Sequence, residues 1–391
     1  MPGPTVTIDA GPHDRRWCPL QFPVAGLVLP GTYHLASPGA EPLTLEVDAE
    51  GQARCILPAL DARQTKVCSI EALNGSPSAG GDTLADTSGA PADSVTLVDA
   101  NGQVTISVDG ALVTRYVYAE VPSRPYFFPV NAPGDIGLTR AYPMVPDVPG
   151  ETADHPHHRS LWIAHGEVNE ADNWSEAPGH ARTRHEKFDR MSSGSVTGSF
   201  ESTASWLRST GEPLLTERLG VTAWNVAGDA HVLDFTITLR ANNGAVHFGD
   251  TKEGGILSVR VATSMDVPRT GRISNVFGGI DEAETWGKAA HWCDYSGEVD
   301  GRVAGIAVMD HPHSFRYPTH WHVRNYGLMT ANPFAYAAYT GGLKDGSHTL
   351  ADGQALTFRY RVILHTQGCP EARIAERYLD FVAPPNVTVA E

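Results

Sequence analysis

The chain has 391 residues, and its 45 acidic and 29 basic side chains give a net charge of −16. That negative excess repels phosphate backbones and anionic lipid, so nucleic acid and membrane surfaces are excluded as expected partners. No run reaches the ~18 apolar residues of a spanning helix, the first residues lack the basic and apolar regions of a signal peptide, and the cysteines (Cys18, Cys55, Cys68, Cys293, Cys369) are odd in number and scattered, which predicts free thiols in a reducing cytoplasm.

Gly and Pro punctuate the chain almost throughout, and short runs rich in Val, Thr, Ile and Leu lie between them. Leu43 to Val47 alternates apolar and polar residues and ends in the turn Asp48-Ala49-Glu50-Gly51, which predicts a strand. Residues 74–93 are small, polar and poor in aromatics, the composition of a flexible linker. Val95 to Val98 and Val104 to Val108, separated by Asp99-Ala100-Asn101-Gly102, read as a hairpin. Leu161 to His165 predicts an apolar strand ending in a histidine, and Val232 to Leu239 has the period of two of a half-buried strand. At the C-terminus Pro370 suits a first helical position, with Ile374, Tyr378 and Phe381 on one face. The expectation is an all-β fold: a large β-sandwich, supersandwich-like, over 94–391, preceded by a small β-rich unit over 1–73 and closed by a short C-terminal helix.

Histidine carries the chemistry. Many of the 17 histidines fall in three clusters. They are Asp154-His155-Pro156-His157-His158-Arg159 followed by His165, Asp310-His311-Pro312-His313, and His320-Trp321-His322-Val323-Arg324. Proline fixes its own φ and extends the residue before it, so the two Asp-His-Pro-His strings should be extended or turn segments. If 319–326 is a strand, His320, His322, Arg324 and Tyr326 share one face and Trp321 and Val323 the other. Such a face can line a cleft, and an H-x-H pair can chelate a metal. The bland alternative is a polar sheet face bonded to solvent. His157 and His158 would point to opposite sides of an extended segment, so one of them should pack or cap. His165 reads as a satisfied core histidine.

Two further segments are candidates. In Gly249-Asp250-Thr251-Lys252-Glu253-Gly254-Gly255, Lys252 and Glu253 could serve a cleft as acid, base or charge stabiliser; equally, the segment is a turn whose glycines supply positive φ. Trp286-Gly287-Lys288 and His291-Trp292-Cys293 are aromatic-dense and suit the stacking of sugar rings, although core packing is expected for at least one of the tryptophans. There is no G-x-S-x-G elbow and no G-x-G-x-x-G loop, so no nucleotide cofactor is expected.

The ordered set Arg124-Pro125-Tyr126, Thr139-Arg140-Ala141-Tyr142-Pro143, 154–162, 249–255, Trp286-Gly287-Lys288, Asp310-His311-Pro312, 321–328 and Ala331-Asn332-Pro333 resembles the bacterial family labelled methane oxygenase PmoA, over roughly residues 95 to 380. The membrane subunit of that name spans the bilayer, and this chain has no spanning segment. The resemblance implies carbohydrate chemistry, since the family accompanies sugar oxidoreductases and isomerases. The resulting expectation is a carbohydrate-active enzyme, a lyase, hydrolase or epimerase, acting on a sugar, keto-sugar or glycoside. His158, Lys252, Glu253 and His322 would be catalytic. Arg159, Trp286, Arg324 and Tyr326 would bind substrate. His155, His320 and His322 would be the ligands if one divalent metal ion takes part. The alternatives are a non-catalytic carbohydrate-binding β-sandwich and a non-haem metal oxygenase using two histidines and a carboxylate.

Overall fold

A computed structural model describes residues 3–24, 26–73 and 94–391. The expected linker over 74–93 lies outside them. Strand accounts for 52% of the chain and helix for 6%, so this is an all-β, sandwich-like protein with three short α-helices among the described residues.

Two large antiparallel sheets form the main body. One runs Trp321–Arg324, Leu328–Ala331, Gly254–Arg260, Leu161–Val168, Tyr126–Ala132, Ala111–Val117, Gln103–Val108, Val95–Ala100. The other runs Arg182–Ser192, Thr197–Leu207, Pro213–Trp224, Ala230–Arg240, Ala355–Thr366, Arg302–Asp310, Trp292–Val299, Arg272–Asn275. Their facing residues merge in one core: Val104, Phe127, Leu161 and Val259 from the first sheet, Phe200, Leu219, Phe235 and Val362 from the second. The apolar face of each sheet is covered by the other, as in a β-sandwich. The hairpin at Asn101-Gly102 forms as expected. Both residues sit at positive φ, 54° and 74°, the conformation of a tight two-residue turn matched to strand twist.

The N-terminal unit is a seven-stranded sheet with its own core, built on Val6, Leu20, Leu45, Leu57 and Ile70. Its boundary differs from expectation at one end. Asn386–Ala390 pairs with Thr5–Asp9 and completes this sheet, so the last strand belongs to the N-terminal unit and not to the main sandwich. The helix Ile374–Val382 packs Ile374 and Tyr378 against Trp292, Met309 and Ile363 on the outer side of the second sheet. It begins later than Pro370 because Arg373 adopts a left-handed backbone with φ 57°, which a continuous helix does not permit. Its Asp380 binds Arg15 at 2.9 Å, which ties the two units together.

Candidate functional site

The first histidine cluster is a turn. His158 N–H donates to the His155 carbonyl at 3.0 Å, and His155 has φ 42°. The imidazoles of His155 and His158 stack at 4.7 Å between centroids, nearly parallel, and His157 meets His158 edge-on at 4.5 Å. The rings are therefore neighbours, where an extended segment would have sent them apart. On its other face His155 stacks on Tyr326 at 5.3 Å. This contact joins the first cluster to the third.

Tyr326 lies in the turn between Trp321–Arg324 and Leu328–Ala331, so the strand is shorter than 319–326. The alternation holds within it: Trp321 and Val323 enter the core. Arg324 pairs with Glu282 at 2.9 Å and lies 5.4 Å from the Tyr326 ring. Arg260, from the neighbouring strand, covers the same ring at 4.8 Å. Arg260 and Arg140 both bind Asp154. Burial pushes the Asp154 carboxyl up, and the two guanidinium groups outweigh it and hold it below the ordinary carboxylate range.

Beside this stack lies an open cleft of about 500 Å³, lined among others by His155, His157, Asp172, Trp174, Thr251 and Glu253, with Glu167 and Glu170 also on its wall. Gly166 makes the cleft possible. A side chain there would put its Cβ 1.9 Å from the Glu253 carbonyl, so only glycine lets the 249–255 segment lie against Leu161–Val168. Gly255 has the same kind of role: its φ is 140°, and a Cβ would meet Thr330 Oγ1 at 1.8 Å. The glycines of this segment thus serve both as strained backbone and as points of close approach.

The electrostatics single out Glu253 and His157. Burial raises the Glu253 carboxyl, but its contact with Lys252 and the fields of Lys252, His322 and His157 bring it below its ordinary value. Burial, helped by Arg124 and His155, lowers His157 to about 4. Near neutral pH the cleft therefore holds a neutral imidazole and an ionised carboxylate within each other's field, a pairing suited to moving a proton.

Several expected roles need correction. His158 was expected to be catalytic, but it is 1% exposed. It is held between His155 and Trp162, and its Nδ1 faces Arg260 Nη1 at 3.2 Å. Burial and the surrounding cations push its pKa far down, so it is scaffold, and His157 reaches the cleft in its place. His322 is 2% exposed and accepts the Trp286 indole N–H at Nδ1, 2.9 Å. Burial lowers it to about 4. It is not among the residues that line the cleft. Trp286 is committed to that bond and to an edge contact with Tyr339 at 5.2 Å, which leaves its N–H unavailable to a ligand. Arg159 is tied to Glu176 through two bonds, 2.7 and 2.8 Å, and so holds the wall and not a substrate.

The trio His155, His320 and His322 does not converge. His320 lies against Tyr336 and stacks on Tyr339, while His155 stacks on His158 and Tyr326. Among the described residues no group of three or more His, Cys, Asp or Glu side chains is placed to hold a metal ion. The second Asp-His-Pro-His string is elsewhere, with His311 against His313 and Phe381 of the C-terminal helix. His165 is fully buried, inside its strand and not at its end, with Nε2 on the Gly249 carbonyl at 3.0 Å.

The span from Arg124 to Tyr326 that builds the cleft lies wholly inside residues 103–379, which match the model of a family of unknown function, DUF6807. The chain belongs to that family. The matched span of DUF6807 excludes all seven strands of the N-terminal unit, so the cleft belongs to the part that defines the family. No curated protein matches the chain.

Sequence reasoning missed His157, Asp172, Trp174, Glu167, Glu170 and Thr251. His157 stood in the string already marked, and only its turn decided which imidazole faced outward. Asp172 to Trp174 carried no signal, because a short strand, Ala171–Asn173, brings it beside His165.

Proposed function

We propose that this member of DUF6807 is an enzyme that transfers protons on a sugar-type small molecule bound between Trp174, His155, His157 and Glu253. The observation that carries this reading is the pairing of neutral His157 with ionised Glu253 in a cleft walled by an indole and edged by carboxylates. Carboxylates accept bonds from hydroxyl groups, and an aromatic edge or face suits the C–H surface of a pyranose. A cleft of about 500 Å³ is within the range of small-molecule sites. A lyase, hydrolase or epimerase all require such a step: His157, unprotonated, takes the proton from the substrate, the negative charge of Glu253 favours the imidazolium that forms, and the imidazolium returns the proton to the leaving group or product. A pure binding module would have no use for an imidazole held neutral beside an ionised carboxylate, which favours the enzyme. An oxygenase of the type that the PmoA label suggests would need two histidines and a carboxylate converging on iron, and the described residues offer no such set. A reducing cytoplasm belongs to the same reading; all five cysteines are unpaired.

The test is a turnover screen of aldoses, uronates, glycosides and their keto forms with the full chain, His157→Ala and Glu253→Gln. Losing the general base should lower the rate on an accepted substrate by about 10²–10⁴. Two variants as active as the parent on that substrate would overturn the assignment.

A further inference from the structure

Behind the cleft lies a group of buried polar side chains without partners. Arg124 is 1% exposed. Its Nη2 donates to the carbonyls of Asn173 and Ser175 at 3.1 and 3.3 Å, while Nε and Nη1 find no acceptor. The Asn173 side chain is fully buried and unpartnered at both ends. The indole N–H groups of Trp162 and Trp174 are buried and unpartnered too. Of this group Trp174 alone lines the cleft, and Arg124 and Asn173 are buried behind it; the Trp174 ring is 5.5 Å from that of Trp162 and 6.0 Å from His157, Arg124 bonds the Asn173 carbonyl, and Arg124 acts on His157 through its charge.

This is an accumulation of donors. Buried donors left unmatched are destabilising, and Glu176 and Asp172 act on the Arg124 guanidinium through their charge without bonding it directly. The carboxylates in the neighbourhood are engaged elsewhere. Glu176 is held by Arg159 and Ser123. Asp172 accepts the backbone N–H groups of Trp174 and Ser175, both at 2.9 Å, and the Ser175 hydroxyl. Arg124 has no ion pair of its own among the described residues. Glu170 on the wall is exposed and Glu167 half-buried, where solvent and salt weaken their repulsion of an incoming anion.

We infer that Arg124, Asn173 and Trp174 form a carboxylate-binding floor beneath the His157–Glu253 pair. This rests on the sugar reading only for the rest of the ligand: given that reading, the substrate class is a sugar acid, with its carboxylate on the floor and its hydroxyls at the acidic wall. The arrangement also serves the chemistry. A proton on the carbon next to a carboxylate is hard to remove unless the charge that develops on the carboxylate oxygens is stabilised, and the floor places cationic and N–H donors on that side of His157.

The test uses the full chain labelled with 5-fluorotryptophan, whose eight tryptophans give separate fluorine resonances, with Trp174→Phe to assign the one that matters. Sodium formate is titrated against sodium chloride at equal ionic strength. A saturable shift of the Trp174 resonance with formate alone is expected, with at least a tenfold loss of affinity in Arg124→Gln. Because Arg124 also holds two backbone carbonyls and its variant can fail to fold, Asn173→Asp is the second arm. A carboxylate placed among the unmatched donors should abolish the formate response while leaving the melting temperature unchanged or raised. No formate response in the parent, or a response that survives in Asn173→Asp, overturns the inference and means that water satisfies these donors. D-glucuronate and D-galacturonate are then compared with D-glucose and D-galactose. Uronates acting at least tenfold below their parent sugars support the sugar-acid class. Equal potency of acid and parent overturns it and leaves the sugar reading standing. A formate response with no response to any sugar keeps the floor and counts against the sugar reading.

Discussion

Glu217 lies in the middle of Pro213–Trp224, 3% exposed, with its carboxylate on the Trp206 indole N–H at 2.9 Å. Burial raises it from an ordinary 4.5 to about 7, and the single indole bond only partly offsets this. In the unfolded chain the same group titrates near 4.5, so between 4.5 and about 7 the folded protein holds a proton that the unfolded chain has lost. Its contribution is therefore fully present below pH 4.5 and is lost as the pH rises through about 7. At about 1.4 kcal/mol per pH unit, the gap between 4.5 and about 7 corresponds to about 3 kcal/mol above neutrality. Glu217→Gln keeps the shape and an oxygen for Trp206 while removing the ionisation, and the buried Tyr116 hydroxyl lies within the field of this position. Urea unfolding at pH 4.5, 6 and 7.5 should show parent and variant close together at the lowest pH. The variant should draw ahead by about 1–3 kcal/mol at the highest. The buried histidines, lowered by burial, titrate with the opposite sign, which is why the difference between the two proteins is the measurement. A variant that is less stable at pH 7.5, or whose lead does not grow with pH, would refute the reasoning.

Trp321→Ala removes a core indole whose N–H binds the Ala290 carbonyl at 2.9 Å, and it should cost about 3–5 kcal/mol. His322→Ala, which strands the Trp286 N–H, should cost about 1–3 kcal/mol; calorimetric melts of the pair check the order. With His157 lowered to about 4, kcat/KM on an accepted substrate should hold level from about pH 5 to neutrality and fall as His157 is protonated. A rate that climbs through pH 6.5 would assign the base to an unperturbed histidine. Gly166→Ala, which pushes a Cβ into the Glu253 carbonyl, should reduce turnover more than it lowers the melting temperature, because the strand survives while the carboxylate is displaced. Thiol titration of denatured, unreduced protein should count five free cysteines; two stable disulfides would contradict it.

Much of the fold was readable because strand chemistry is local. Leu43–Val47 has the predicted bounds, the Asn101-Gly102 hairpin forms, and Val232 to Leu239 lies inside Ala230–Arg240. The alternation of Trp321 and Val323 with His322 and Arg324 likewise assigned the core face. The errors came from backbone conformations that periodicity does not encode. Arg373 at positive φ delays the last helix, and the turn at His155 exchanges the places of His157 and His158.

The sequence by itself determined an all-β sandwich and marked the segments around 155, 250 and 322 as chemically dense, since residue type and period of two are properties of each strand alone. Only the tertiary structure decided which of those side chains share a cleft. Tyr326 meets His155 because the turns that hold them adjoin strands of one sheet. Arg124 reaches Asn173 across 49 residues. Asn386–Ala390 returns to the first strand from the far end of the chain. Such contacts depend on sheet order and on where burial removes water from a charged group, and those are fixed only when distant strands are side by side.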